Sequence, residues 1–274
     1  MLPIPPDDAA LKPLSMRESP LDGRKALVVG IANKDSIAYG CARAFRAFGA
    51  DLSITYLNDK TKQYTAQLAR ALDVEEALYL PCDVREAGQL EAVFDAIRRE
   101  WGRLDILLHS IAFAPREDLH GRVTDCSLEG FLLTMDISVH SLIRMTRLAE
   151  PLMTDGGVIF TMSYFGGEKV VPHYGIMGPA KAALETAARY MAAELGEKGI
   201  RVNIISPGPV LTRAASGIDR FDELLEATKK RAPTGKLVTA DQVGVATAAL
   251  ACDFAKIITG EILYADGGYN IMGG

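Results

Sequence analysis

From residue 25 onward the chain repeats one pattern: a short run rich in Val, Ile and Leu, then a longer stretch whose apolar residues recur at helical spacing. The runs are KALVVG (25–30), DLSITY (51–56), ALYLPCDV (77–84), LDILLHS (104–110), GVIFTMS (157–163), RVNIIS (201–206) and EILYADGG (261–268). Helices are predicted near 36–48, 59–72, 86–100, 127–149, 177–197, 219–230 and 240–253. Runs such as ALVVG and DILLHS lack the every-other-residue alternation of a sheet with one wet face. They suit parallel strands covered by helices on both sides. The architecture this predicts is α/β, a single doubly wound Rossmann domain on a seven-stranded parallel sheet.

Residues 1–20 carry Pro3, Pro5, Pro6, Pro13 and Pro20, which rules out a continuous helix or a central strand. An extended or disordered arm is expected there, followed by one domain over 21–274, since no repeat or compositional break divides the rest. With 274 residues, 49% hydrophobic and 24% charged, the chain is neither disordered nor collagen-like and can bury a large core. A net charge of -5 argues against a broad basic surface, so neither nucleic acid nor an anionic membrane is an expected partner. The cysteines Cys41, Cys82, Cys126 and Cys252 are scattered with no C-x-x-C pair, so no metal site or disulfide framework is expected. No secretory leader or bilayer-length apolar run is present, and the expected location is cytoplasmic.

The first run leads into Gly30, and GIANKDSIAYG (30–40) carries the chain to a helix, where a dinucleotide pyrophosphate would meet helix amides. Gly30 and Gly40 alone are too sparse for G-x-G-x-x-G, so turn, packing and cofactor roles stay open. Ser36 can cap the helix or bond a phosphate with the same hydroxyl. CDV (82–84) puts Asp83 where it can accept from an adenine amino group or cap its own loop. HSIAFA (109–114) has small residues that admit a ligand to the backbone or make a tight exit from the strand; His109 alone reads as a satisfied core histidine.

After the fifth run, SYFGGEKVVPHYGIMGPAKAALE (163–185) places Tyr164, Tyr174 and Lys181 near the start of a helix. Carbonyl reductases of the short-chain type set Tyr and Lys four apart on one helix face. Here Met177 stands four before Lys181, the tyrosine stands seven before, and the place of the usual serine holds Tyr164. The carbonyl-to-alcohol triad therefore lacks its serine and has its tyrosine displaced.

Over nearly all of 21–274 the chain resembles the enoyl-acyl-carrier-protein reductases, divergent short-chain dehydrogenases that reduce trans-2-enoyl thioesters. The resemblance rests on the GIANKDSIAYG loop, CDV, HSIAFA, Tyr174-x6-Lys181 with Tyr164 ten residues upstream, SPGPVLTRAASGI (206–218) and DGGYNIMGG (266–274). It implies hydride delivery to the β-carbon of the thioester, with Tyr174 donating to the enolate oxygen and Lys181 binding the nicotinamide ribose. Tyr164 would shape the pocket or aid proton delivery. Cofactor contacts are implied for Gly30, Ser36, Ile37, Asp83, Val84 and Ile111, and for Val210, Leu211, Thr212, Arg213 and Ala214 in a loop that closes over the site. Ala114, Met177 and Phe221 would line the acyl pocket, although plain core packing explains Met177 and Phe221 almost as well.

Asn33 and Leu57 stand where relatives often carry polar or charged residues, and neither supplies an arginine for a 2′-phosphate, so NADH is expected over NADPH. The helix DRFDELLEATKK (219–230) opens with Asp219, Asp222 and Glu223, which would repel an acidic carrier protein, while Arg220, Lys229, Lys230 and Arg231 offer a docking edge. The expected partners are an acyl-thioester substrate, carried by an acyl carrier protein, and copies of the same chain in a homotetramer. Two other readings stay open: a reductase of a specialised acyl thioester, enone or carbonyl substrate, and a nucleotide-sensing protein without turnover.

Overall fold

The computed structural model describes residues 19–212 and 221–273. The expected arm lies outside the described residues but for its last two, and so do Arg213 and Ala214. The strands are β1 (Lys25–Val29), β2 (Asp51–Tyr56), β3 (Tyr79–Pro81), β4 (Ile106–His109), β5 (Gly157–Met162), β6 (Ile200–Pro207) and β7 (Ile262–Ala265). All pair in parallel, in the order β3-β2-β1-β4-β5-β6-β7, so the direction of winding reverses between β1 and β4. The helices are α1 (Ile37–Ala47), α2 (Asp59–Ala71), α3 (Gln89–Glu100), α4 (Arg116–His120), α5 (Leu128–Met135), α6 (Ser141–Ala149), α7 (Met177–Leu195), α8 (Phe221–Arg231) and α9 (Ala240–Ala251).

Successive strand residues feed opposite faces, which is why the strands are apolar throughout. Leu27, Leu107 and Ile159 pack with α3, α6 and α7 on one side; Val28, Leu108 and Phe160 pack with α1, α2 and α9 on the other. Each such side chain fully buried stabilises the fold by about 1.5–3 kcal/mol.

The structure departs from the sequence expectations at three elements. The run 77–84 shrinks to the three residues of β3, preceded by a 3-10 turn at Glu76–Leu78. An edge strand pairs on one side only, and its segment is free to leave the sheet early. The helix expected over 127–149 is interrupted by a π-turn at Asp136–His140. That extra residue turns Ser138 toward the 109–114 loop, where its Oγ accepts from the Phe113 amide at 2.9 Å and donates to the Phe113 carbonyl at 3.0 Å. Finally, α4 was not expected, because five residues after Pro115 are too few to show helical periodicity.

Candidate active site

A cavity of about 1140 Å³ lies across the carboxyl ends of the strands at the β1–β4 switch point. At its phosphate end the Ser110 amide donates to the Val29 carbonyl at 2.9 Å and draws the exits of β1 and β4 together. Gly30 sits there at φ 112°, and a Cβ on it would stand 2.0 Å from the Ser110 carbonyl oxygen, so only glycine fits. Gly40 has the packing role alone: its Cβ would stand 2.2 Å from the carbonyl oxygen of Ala240 at the start of α9.

Ser36 neither caps α1 with its side chain nor lines the cavity. Its Oγ accepts from the Ala32 and Asn33 amides at 3.1 Å each and donates to Asn33 Oδ1 at 3.2 Å, tying the phosphate loop to itself. Ile31, Ala32 and Ile37 present this loop and the start of α1 to the cavity.

At the adenosine end stand Thr55, Leu57, Thr61, Asp83 and Val84. Asp83 accepts from the Arg85 amide at 3.0 Å and from its guanidinium at 2.7 and 3.1 Å. These bonds hold its carboxyl below the usual range, and the loop-capping reading of Asp83 is realised in this structure. Arg85, the guanidinium nearest in sequence to this end, is thereby committed to a carboxylate.

At the opposite end Tyr164 and Tyr174 meet edge to face, ring centroids 5.1 Å apart. Tyr174 is buried, and burial pushes both phenols up, so each remains protonated at neutral pH. The Tyr164 hydroxyl is buried without a hydrogen-bond partner among the described residues. Lys181 is 5% exposed and donates from Nζ to the Met162 carbonyl at 2.7 Å, the acceptor that a lysine in the first turns of a helix requires. Burial lowers its pKa to about 8. His109 bonds Thr161 Oγ1 through Nδ1 at 2.9 Å and Ser141 Oγ through Nε2 at 2.7 Å; it is a satisfied core residue.

Of the residues singled out from sequence, Gly30, Ile37, Asp83, Val84, Ile111, Ala114, Tyr164, Tyr174, Met177, Lys181, Val210 and Thr212 line this one cavity. Met177 also packs with Phe165 and Tyr174, so its core and pocket readings are both realised. Leu211 does not line it and is 65% exposed. Arg213 and Ala214 lie outside the described residues, as do Asp219 and the Phe221 side chain. Sequence reasoning missed Leu119 and Leu224, which line the cavity and pack with Ala114 against the apolar cluster that holds Tyr174 and Met177; α4 gave no periodic signal to find the first.

The residues present fit a dinucleotide. Glycine at position 30 keeps the loop clear of any side chain, and the first turn of α1, with no side-chain cap, offers its amides to phosphates, while a buried unpartnered hydroxyl and a buried ammonium stand at the far end. A doubly wound sheet with this cavity at its switch point and a buried tyrosine–lysine pair defines a nicotinamide oxidoreductase of the short-chain dehydrogenase type. The family model for enoyl-(acyl carrier protein) reductase matches residues 30–270, and the chain belongs to that family. It is 46% identical over 254 residues to the NADH enoyl-acyl-carrier-protein reductase of Nostoc sp., covering 92% of this chain and 98% of that one. The crystal structure of the NADH-dependent reductase of Aquifex aeolicus superposes with a TM-score of 0.89 at 46% identity, covering 93% of this chain and all of that one. The Anaplasma phagocytophilum reductase in complex with NAD superposes with a TM-score of 0.89 at 44% identity, covering 95% and 99%.

Proposed function

We propose that the protein reduces the trans-2 double bond of enoyl thioesters, borne on an acyl carrier protein, with NADH, as a cytoplasmic homotetramer in fatty-acid elongation. The observation that carries the reading is the convergence of Tyr174, Tyr164 and Lys181 on one end of the dinucleotide-sized cavity. When bound, NADH supplies the hydride that reaches the β-carbon. The Tyr174 hydroxyl, kept protonated by burial, donates a hydrogen bond to the thioester oxygen as negative charge develops there, an interaction stronger in the transition state than in the ground state. Lys181, anchored to the end of β5 through Met162, holds the nicotinamide ribose hydroxyls. Tyr164 keeps its unpaired hydroxyl at the same wall and either shapes the pocket or passes a proton to the product. Ile111, Ala114, Met177 and Leu224 exclude water around the acyl chain.

The choice of NADH is supported by the commitment of Arg85 to Asp83 and by Leu57 at the adenosine end. The tetramer reading is supported by exposed apolar side chains along α5 and α6, Leu128, Leu132 and Ile143, with Tyr190 on α7. The test is a spectrophotometric assay with NADH and a trans-2-enoyl thioester, run beside a 3-ketoacyl thioester and beside NADPH. Loss of nicotinamide absorbance with the enoyl substrate and NADH is the expected result. Turnover of the ketoacyl ester alone would make the protein a carbonyl reductase, and NADH binding without turnover of either ester would make it a sensor.

A further inference from the structure

One buried carboxyl behind the site has no part in the chemistry above. Glu185 follows Lys181 by one turn of α7, so both side chains leave the same helix face. It is 6% exposed, and its carboxylate accepts a hydrogen bond from the Ser163 hydroxyl, also buried and itself part of the cavity wall. Lys181 bonds the carbonyl of Met162, and Glu185 bonds the side chain of the very next residue. Two residues one helical turn apart therefore grip two consecutive residues at the end of β5. Gly167 closes the arrangement: a Cβ there would stand 2.8 Å from Glu185 Oε1 and 3.1 Å from Lys181 Cβ.

We propose that Glu185 is a positioning residue for Lys181: its carboxylate, held by the Ser163 hydroxyl, is the counter-charge that keeps the buried ammonium cationic and aimed at the end of β5. The inference rests on the cofactor-binding role of Lys181 proposed above. An ammonium out of water is costly unless an opposite charge is near, and a low-dielectric interior lets that charge act without a direct ion pair. Burial drives Lys181 toward its neutral form and Glu185 opposes it; burial likewise raises Glu185, and the Ser163 hydroxyl, Arg189 and Lys181 oppose that. The other titratable groups about the pair are His109 from β4, held neutral, Tyr174 ahead of α7, and Glu168, which accepts from Tyr264.

The experiment is an NADH titration by nicotinamide fluorescence at neutral and alkaline pH in the wild type, Lys181→Met, Glu185→Gln and Ser163→Ala. Glutamine keeps the shape and the acceptor for Ser163 and removes only the charge, so a purely structural role would leave the pH profile in place. Wild-type affinity is expected to fall as pH rises through about 8, where Lys181 loses its proton. In Glu185→Gln that fall moves to lower pH by roughly one unit. Ser163→Ala, which withdraws the donor that favours the carboxylate, moves it the same way by less and serves should the glutamine variant fail to fold. A fall present in the wild type but unmoved in the variants overturns the proposal while leaving the role of Lys181 standing. A wild-type profile with no alkaline fall, or Lys181→Met binding NADH as the wild type does, overturns both.

Discussion

At the scale of single residues, Tyr174 and His109 show how burial decides what a polar side chain does. Tyr174→Phe keeps the ring, its contact with Tyr164 and the packing of Met177, and removes only the donor. Loss of one oxyanion donor lowers kcat by about 10²–10³, with NADH affinity nearly unchanged. If steady-state kinetics place the variant within a few-fold of wild type, the donor is Tyr164. His109 is pulled down to about 3 by burial and by the Lys181 charge, whereas the unfolded chain titrates it near its ordinary value of 6.5. Between those values the unfolded state binds the extra proton, so stability falls as pH falls, by up to about 1.4 kcal/mol per pH unit. Urea unfolding of wild type and His109→Gln from neutral to acid pH should show their difference shrinking as pH drops; a constant difference would mean that His109 does not stay neutral in the fold.

Elements here are positioned by what they lack as much as by what they carry. The backbones of α1 and α9 touch because a Cβ on Gly40 would stand 2.2 Å from the Ala240 oxygen, and one on Gly244 would stand 2.2 Å from the Gly40 oxygen. Gly40→Ala must push the two helices apart, and overpacking of this kind costs about 1–3 kcal/mol. Since the first turn of α1 faces the phosphate loop, the variant should also bind NADH more weakly, and both effects are measurable by thermal unfolding with and without cofactor. Unaltered unfolding would show that α1 and α9 slide freely. Position explains why the sequence left Gly40 ambiguous: it stands ten residues after Gly30, where a phosphate-loop pattern and a helix-crossing pattern look alike. Ser36 was ambiguous for a related reason, since its neighbours in the loop, and not its place before the helix, took the hydroxyl.

For the whole molecule, the carrier-borne substrate proposed above makes the distribution of surface charge a testable property. Asp222 and Glu226 stand four apart on α8 and are both exposed, while Leu224 on the same helix reaches the cavity. An acidic carrier approaching this edge is slowed mainly in its association rate. Asp222→Lys with Glu226→Lys is expected to raise kcat/KM for a carrier-linked enoyl substrate more than for the coenzyme A ester. The gain should fade once ionic strength brings the Debye length to about 8 Å or below. Equal effects on both substrates at every salt concentration would place the docking edge elsewhere.

The α/β class, the seven strands, their parallel sense and the doubly wound order were all legible along the chain, because short apolar runs without alternation, in regular turn with longer stretches of helical spacing, suit strands covered on both faces, and these are local facts of composition and spacing. Tyr174 and Lys181 were singled out by their resemblance to a known pattern; Lys181 lies on the first turns of α7, whereas Tyr174 precedes that helix, so only the folded chain shows that both line one cavity. What the chain order left open was settled by contacts between segments far apart in it. The strand exits at Gly30 and Ser110 had to meet before the glycine showed its purpose, and Ala240 had to arrive beside Gly40, 200 residues earlier, before that glycine showed a different one. Burial did the rest. It can be counted only when every neighbour is in place, and it turned Ser163, Glu185 and Lys181 from three ordinary polar residues into one interlocked group at the end of β5.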